Sequence, residues 1–277
     1  MINERTYNLY RHFFHSLAGP DSMFDDENID YYADAIVKDF FDLNQIDLAV
    51  EAMKIMHIWI TITHYLEKTI FFCKESVTEE SMMLGAFSLD TALALWTGTI
   101  NESHPFGNLW YEMTEKIREK FERSVVNRDL IKLISKARAD YFLNNHCVDD
   151  QDAWLRLRVL KNEIISKMTI PMIQYFIDYL ANNSSDFVKL YTVTIAPLLS
   201  GCSQTSKDFL MQNAIFEEYD LGMRDDFIRH LQSVYTCLGI TCEDVGNYKS
   251  FDLKCTDEPE IQEMVGFLPY VDVREVS

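Results

Sequence analysis

Apolar side chains recur every three or four residues along most of this chain, the spacing of one helix face rather than the alternation of a strand. On that periodicity helices are expected near residues 5–17, 28–43, 46–75, 87–100, 105–123, 127–145, 150–181, 185–200, 204–218 and 224–238. Local chemistry marks several ends: Asp21 to Asn28 is a polar acidic loop, Ser88 or Asp90 can cap a helix start, and Asn183-Ser184-Ser185-Asp186 opens another. Gly98 to Gly107 is a turn-rich connection. From Gly239 onward the periodicity is lost, which predicts a loop-rich C-terminal tail laid across the helices. Glycine (9) and proline (6) are too scarce to break the pattern often. The expected fold class is therefore all-α, a multi-helix bundle. No low-complexity segment or clear linker divides it, although the two long helices at 46–75 and 150–181 could each lead a helical half.

The helix at 46–75 can be read on two sides. One stripe is Ile55, Trp59, Ile62, Leu66, Ile70 and Cys73, expected to face the core. The other, Met53, His57, Ile60, His64, Glu67 and Phe71, alternates polar with large apolar side chains and is expected to be partly buried against another helix. The helix at 150–181 carries Pro171 in its interior, where the missing N–H frees a carbonyl and favours a bend.

Composition narrows the function. The chain has 277 residues, 48% of them hydrophobic and 13% aromatic, and 44 acidic against 25 basic residues give a net charge of −19. Such a chain folds, and its charge disfavours nucleic acid and anionic membrane as partners, because both demand basic faces. An acidic surface suits solubility and attraction of cations. No apolar run is long enough to cross a membrane; the longest, Ile58 to Phe72, is interrupted by Thr61, Thr63, His64, Glu67 and Lys68. Residues 1–5 lack the pattern of a signal peptide, which leaves an intracellular protein or a chain beginning at a mature N-terminus behind an added Met. Six cysteines, Cys73, Cys147, Cys202, Cys237, Cys242 and Cys255, allow buried thiols or three disulfides. N-glycosylation acceptor sequences stand at Asn101, Asn182 and Asn183.

Candidate chemistry is sparse. His64 and Glu67 lie three apart on one helix face and can meet a single ion, the i, i+3 geometry of helical-bundle metal sites, and such a set suits iron or manganese. The same spacing recurs by chance in hydrogen-bonded structural pairs. His57, one heptad earlier, reads as a boundary histidine, and Asp90 as a cap. Glu163, Gln174 and Asp178 share a face of the Pro171 helix and could add oxygen ligands, with a solvated face as the plainer reading. No nucleophile elbow, phosphate loop, dinucleotide fingerprint or zinc-protease motif occurs. Cys237 to Cys242 is a C-x4-C, too wide for the redox C-x-x-C pair.

Cys237-Leu238-Gly239-Ile240-Thr241-Cys242-Glu243-Asp244-Val245-Gly246 resembles the C-terminal C-x-G-x-x-C-x-D-V-G signature of the algal iron-assimilation (Fea-type) proteins, also described as high-CO2-inducible extracellular proteins. Other segments are similar to that family in the same order. They are Met56-His57-Ile58-Trp59 to Cys73, Ala92 to Gly98, Gly107-Asn108-Leu109 through Lys116 to Phe121, Met168-Thr169-Ile170-Pro171-Met172-Ile173-Gln174, and Ala196-Pro197-Leu198 to Cys202. The likeness covers roughly residues 45–250. It divides the chain into an N-terminal helical extension (1–44), the family-like helical domain (45–250) and a C-terminal tail (251–277).

The resemblance implies a secreted or periplasmic helical protein that binds or concentrates iron for a membrane uptake system, without a reaction of its own. Glu67 matches a carboxylate position of the family, whereas His64 stands where the family has a charged residue. With the cysteine count and acceptor sequences, it implies an oxidised protein whose cysteines are paired, with Cys237 and Cys242 constrained at the junction of helix and tail. The expected iron ligands are Glu67 with His64, joined by Asp90 or Glu163 from a neighbouring helix. Two other readings stand beside it: a helical di-iron enzyme, needing four to six ligands from several helices, and a cell-surface structural or interaction protein with no metal site.

Overall fold

The computed structural model describes residues 32–75, 78–99, 109–122, 125–217, 219–250 and 255. The helix expected at 5–17, most of the connection at 98–107 and most of the tail beyond 250 lie outside the described residues. The architecture is an all-α multi-helix bundle. In chain order it comprises α1 (Tyr32–Asp42), α2 (Ile46–Ala52), α3 (Trp59–Glu75), α4 (Glu79–Thr97), α5 (Trp110–Arg118), α6 (Val126–Ala137), α7 (His146–Asp149), α8 (Ala153–Ala181), α9 (Ser185–Ser200), α10 (Gln204–Met211), α11 (Arg224–Gln232) and α12 (Cys242–Val245). π-helical turns, Met53–Ile58, Arg138–Leu143 and Gln212–Phe216, continue α2, α6 and α10, so the long helix expected at 46–75 is present with its winding relaxed in the middle.

The expected core stripe is the observed one: Ile55, Trp59, Ile62, Leu66, Ile70 and Cys73 are all at most 4% exposed. The opposite stripe is mixed, with Ile60 buried but Met53 and Phe71 about half exposed. α3 packs along α4 as a helical hairpin, and α8 lies centrally, touching α3, α5, α6, α9, α11 and α12. Burial follows that placement. Met168, Ile170, Met172, Ile173 and Phe176 of α8 are all at most 1% exposed, and helix α8 runs unbroken through Pro171. Ala33 and Ile36 of α1 enter the same core. Trp96 and Trp110 stack at 5.6 Å, and the indole of Trp96 donates to Asn127 Oδ1 at 2.8 Å, meeting the need of a buried N–H for an acceptor.

One helix start differs from expectation. α4 begins at Glu79, eight residues before the expected start, because Thr78 caps it by accepting from the Ser81 N–H, with Glu79 and Glu80 in the positive first turn. Ser88 and Asp90 therefore lie inside the helix, where the Ser88 hydroxyl donates to the Leu84 carbonyl.

The C-terminal signature forms a strap across α8. Gly239 and Gly246 hold φ of 71° and 77°, the left-handed region that side chains disfavour. Thr241 and Asp244 form a reciprocal capping box at α12. The Asp244 carboxylate also pairs with Lys167 of α8, and Gln174 donates to the Val245 carbonyl at 2.7 Å. The strap then meets the end of α5 through paired backbone bonds, Glu122 N–H to Asn247 and Lys249 N–H to Lys120.

Three disulfides brace this arrangement. Cys73–Cys147 links the ends of α3 and α7, Cys202–Cys237 ties the α9–α10 turn to the segment after α11, and Cys242–Cys255 closes the strap on itself. Cys237 and Cys242 are thus both held at the junction of helix and tail, each by a different partner.

Candidate functional site

The four expected ligands are placed in separate surroundings. Glu67, on α3, receives an ion pair from Lys161 of α8 at 2.5 Å. The lysine side chain is only 11% exposed, and an ammonium so far from water requires an anion beside it. His64 is half-buried one turn away, its ring edge-on to Tyr65. Asp90 pairs with Arg138 at 2.8 Å. Glu163 is exposed on α8. Among the described residues no group of three or more His, Cys, Asp or Glu is placed to hold a metal ion. His57 meets Asp34 of α1 at 2.5 Å through Nε2, a boundary pair between helices.

The structure assembles two polar clusters that periodicity alone did not single out. In the first, Asp178, 5% exposed, accepts from Lys120 at 2.6 Å, the Tyr248 hydroxyl at 2.7 Å and the Asn182 amide at 3.0 Å. The carboxylate read as part of a solvated face is the point where α8, the end of α5 and the strap are joined. Burial, then the bond to Asp178, pushes the Tyr248 phenol up to about 12.

The second cluster lies where α2, α5, α8 and α9 converge. The fully buried Tyr191 donates to Glu51 Oε1 at 2.9 Å, and its ring lies 6.0 and 5.3 Å from those of Tyr175 and Tyr179. Tyr175 donates to the Met113 carbonyl of α5 at 3.1 Å. Burial holds the Glu51 carboxyl above its ordinary value, with Tyr191 opposing part of that rise. Burial, reinforced by the charge of Glu51, raises all three phenols. The signal available in sequence was Tyr175, Tyr179 and Tyr191 on consecutive helices; that Glu51 sits beside them required the packing of α2.

A serine–histidine contact also occurs, Ser206 Oγ to His230 Nδ1 at 3.2 Å. Ser206 is 2% exposed and its hydroxyl also meets Ser233, so it has no open face toward a substrate. Stacking on Phe209 at 4.1 Å half-buries the imidazole, and burial lowers its pKa.

No helix of the described residues is long and apolar enough to cross a membrane. No protein-family description, curated protein or solved structure matches this chain.

Proposed function

We propose that the protein is an exported iron-binding protein of the algal iron-assimilation type, concentrating iron outside the membrane for an uptake system and catalysing no reaction. The observation that carries this reading is the run Cys237 to Gly246. Its marked positions do identifiable structural work: two bridged cysteines, two glycines at positive φ, and an aspartate that caps α12 and pairs with Lys167. The run therefore specifies this strap on this bundle, which supports the family likeness while placing no ligand in the motif itself. Three disulfides suit an oxidising compartment, and the net charge of −19 suits a protein that gathers cations.

In this reading Glu67 is the ligand to test, with Lys161 as its counter-ion when no iron is bound. Binding of Fe(II) and Fe(III) is measured on the oxidised protein and on Glu67→Gln, with thermal melting as the folding control. Iron bound by the parent and weakened by Glu67→Gln supports the site. A folded Glu67→Gln variant with unchanged stoichiometry and affinity removes Glu67 and leaves the exposed carboxylates, and a parent that binds no iron defeats the proposal.

A second reading is favoured by a specific contact. The Glu67–Lys161 pair already gives both charges a structural purpose, as expected of a disulfide-braced surface or interaction protein without a metal site. That reading expects Glu67→Gln to lower the melting temperature, since Lys161 loses its anion, with no iron bound by either form.

A further inference from the structure

The turn between α8 and α9 carries two overlapping acceptor sequences in Asn182-Asn183-Ser184-Ser185: Ser184 completes one for Asn182, and Ser185 completes one for Asn183. The sequence offers no choice between them. The fold does, because the two asparagines hold different positions at the end of α8.

Asn182 is the C-cap, and its side-chain nitrogen is already committed. It donates to the Asp178 carbonyl at 2.7 Å and to the Asp178 carboxylate at 3.0 Å. A sugar on that nitrogen replaces one of the two hydrogens and stands where Asp178 now sits. Asp178 is itself held in place, Oδ2 by Lys120 and Oδ1, the oxygen Asn182 uses, also by Tyr248. Asn183 is the next residue, with φ 52°. The Ser184 N–H bonds back to the Tyr179 carbonyl at 3.1 Å, which makes this a Schellman ending with Asn183 as its left-handed residue, a position that asparagine tolerates. Both asparagines are exposed, so accessibility alone does not separate them; the Asn182 nitrogen is held on Asp178, while Asn183 sits at the apex of the turn, beside an open groove lined by Gln45, Asp47, Ser184, Asp186 and Phe187.

We propose that Asn183 carries an N-linked glycan in the exported protein and that Asn182 does not. The proposal rests on the export reading. In the transfer, the Asn183 amide nitrogen attacks C1 of the first sugar of a lipid-diphosphate-linked oligosaccharide. The N–C1 bond forms, the bond from C1 to the diphosphate oxygen breaks, the amide gives up one proton and the lipid diphosphate leaves. Whichever asparagine is modified before the helices close, only a chain carrying the bulky, hydrated group at Asn183 can form this turn, so the folded, secreted protein carries it there and not at Asn182.

The test is secretion of the full chain from a eukaryotic host behind a cleavable leader. Peptides are mapped by mass spectrometry after enzymatic deglycosylation in heavy-oxygen water, which marks each formerly glycosylated asparagine as a labelled aspartate. Ser184→Ala removes only the Asn182 acceptor sequence and Ser185→Ala only that of Asn183; the N-cap Ser184 makes no side-chain cap bond to α9. The label is expected at Asn183 in the parent and in Ser184→Ala, and loss of the glycan from this turn in Ser185→Ala. A label at Asn182, or a turn left unmodified in secreted protein with bridged cysteines, overturns the proposal alone. Secreted protein with six free thiols overturns the export reading together with it.

Discussion

Asp178→Ala should detach the C-terminal strap more than any other single truncation at the surface of α8. The substitution removes the acceptor of the Tyr248 hydroxyl, and Tyr248 is 9% exposed. Leaving such a hydroxyl unsatisfied costs about 1–3 kcal/mol. Lys120 also loses its partner, but its side chain is 48% exposed and water replaces most of the attraction, so this adds about 0–1 kcal/mol. Together these give about 1–4 kcal/mol, or roughly 2–16 °C in melting temperature for a chain of this size. Asp178→Asn keeps an oxygen for Tyr248 and discards only the charge, so it should cost less than half as much. Urea unfolding with the disulfides intact gives the energies, and hydrogen exchange at residues 240–250 shows whether the loss is local to the strap. An alanine variant within about 0.5 kcal/mol of the parent, below the cost of one buried hydroxyl, would refute the argument. An asparagine variant as damaged as the alanine one would show that charge, and not the tyrosine bond, does the holding.

Leu66→Ala, at 1% exposure in the centre of α3, should cost about 2–5 kcal/mol in denaturant unfolding; a variant as stable as the parent would mean that α3 repacks. Titration of the denatured oxidised protein should find no reactive thiol among the six cysteines. Removing Cys73–Cys147, with a separation of 74 residues, should cost about 4 kcal/mol, against about 3 kcal/mol for Cys242–Cys255, with a separation of 13, if loop entropy dominates; equal costs would argue for strain or residual structure instead. Alkali should unfold the protein through its phenols. Burial raises Tyr219 and Tyr248 to about 12 from the ordinary phenol value of 10.0, so the stability they contribute is complete below pH 10 and is lost as pH climbs from there through about 12. Tyr248→Phe should flatten that decline, and an unchanged slope would exclude Tyr248 from it. Gly246→Ala should displace the strap, because a Cβ there would lie 2.1 Å from the Glu122 carbonyl oxygen, at a φ that side chains disfavour; native-like exchange protection at residues 240–250 would contradict this.

What could be read along the chain was whatever depends on neighbours within a turn or two. Ile55, Trp59, Ile62, Leu66, Ile70 and Cys73 declared a buried face because helical spacing is set by local sterics, whatever the helix packs against. Thr78 followed by two glutamates is an equally local cap signal, one that the expected start at residue 87 did not use. The run from Cys237 to Gly246 marked the junction of helix and tail without the disulfide partners, since six cysteines permit fifteen pairings.

Choosing partners required the tertiary structure. Glu67 finds Lys161 across 94 positions, Tyr248 finds Asp178 across 70, and Tyr191 finds Glu51 across 140. A carboxylate on a helix face has the same sequence signature whether it faces water, a lysine, a tyrosine or an ion. Hydrogen bonding needs partners within about 3 Å and salt screens Coulombic attraction over about 10 Å, so the outcome depends on which helices are brought side by side. That adjacency is fixed by burial summed over the whole core, a quantity that no local window contains.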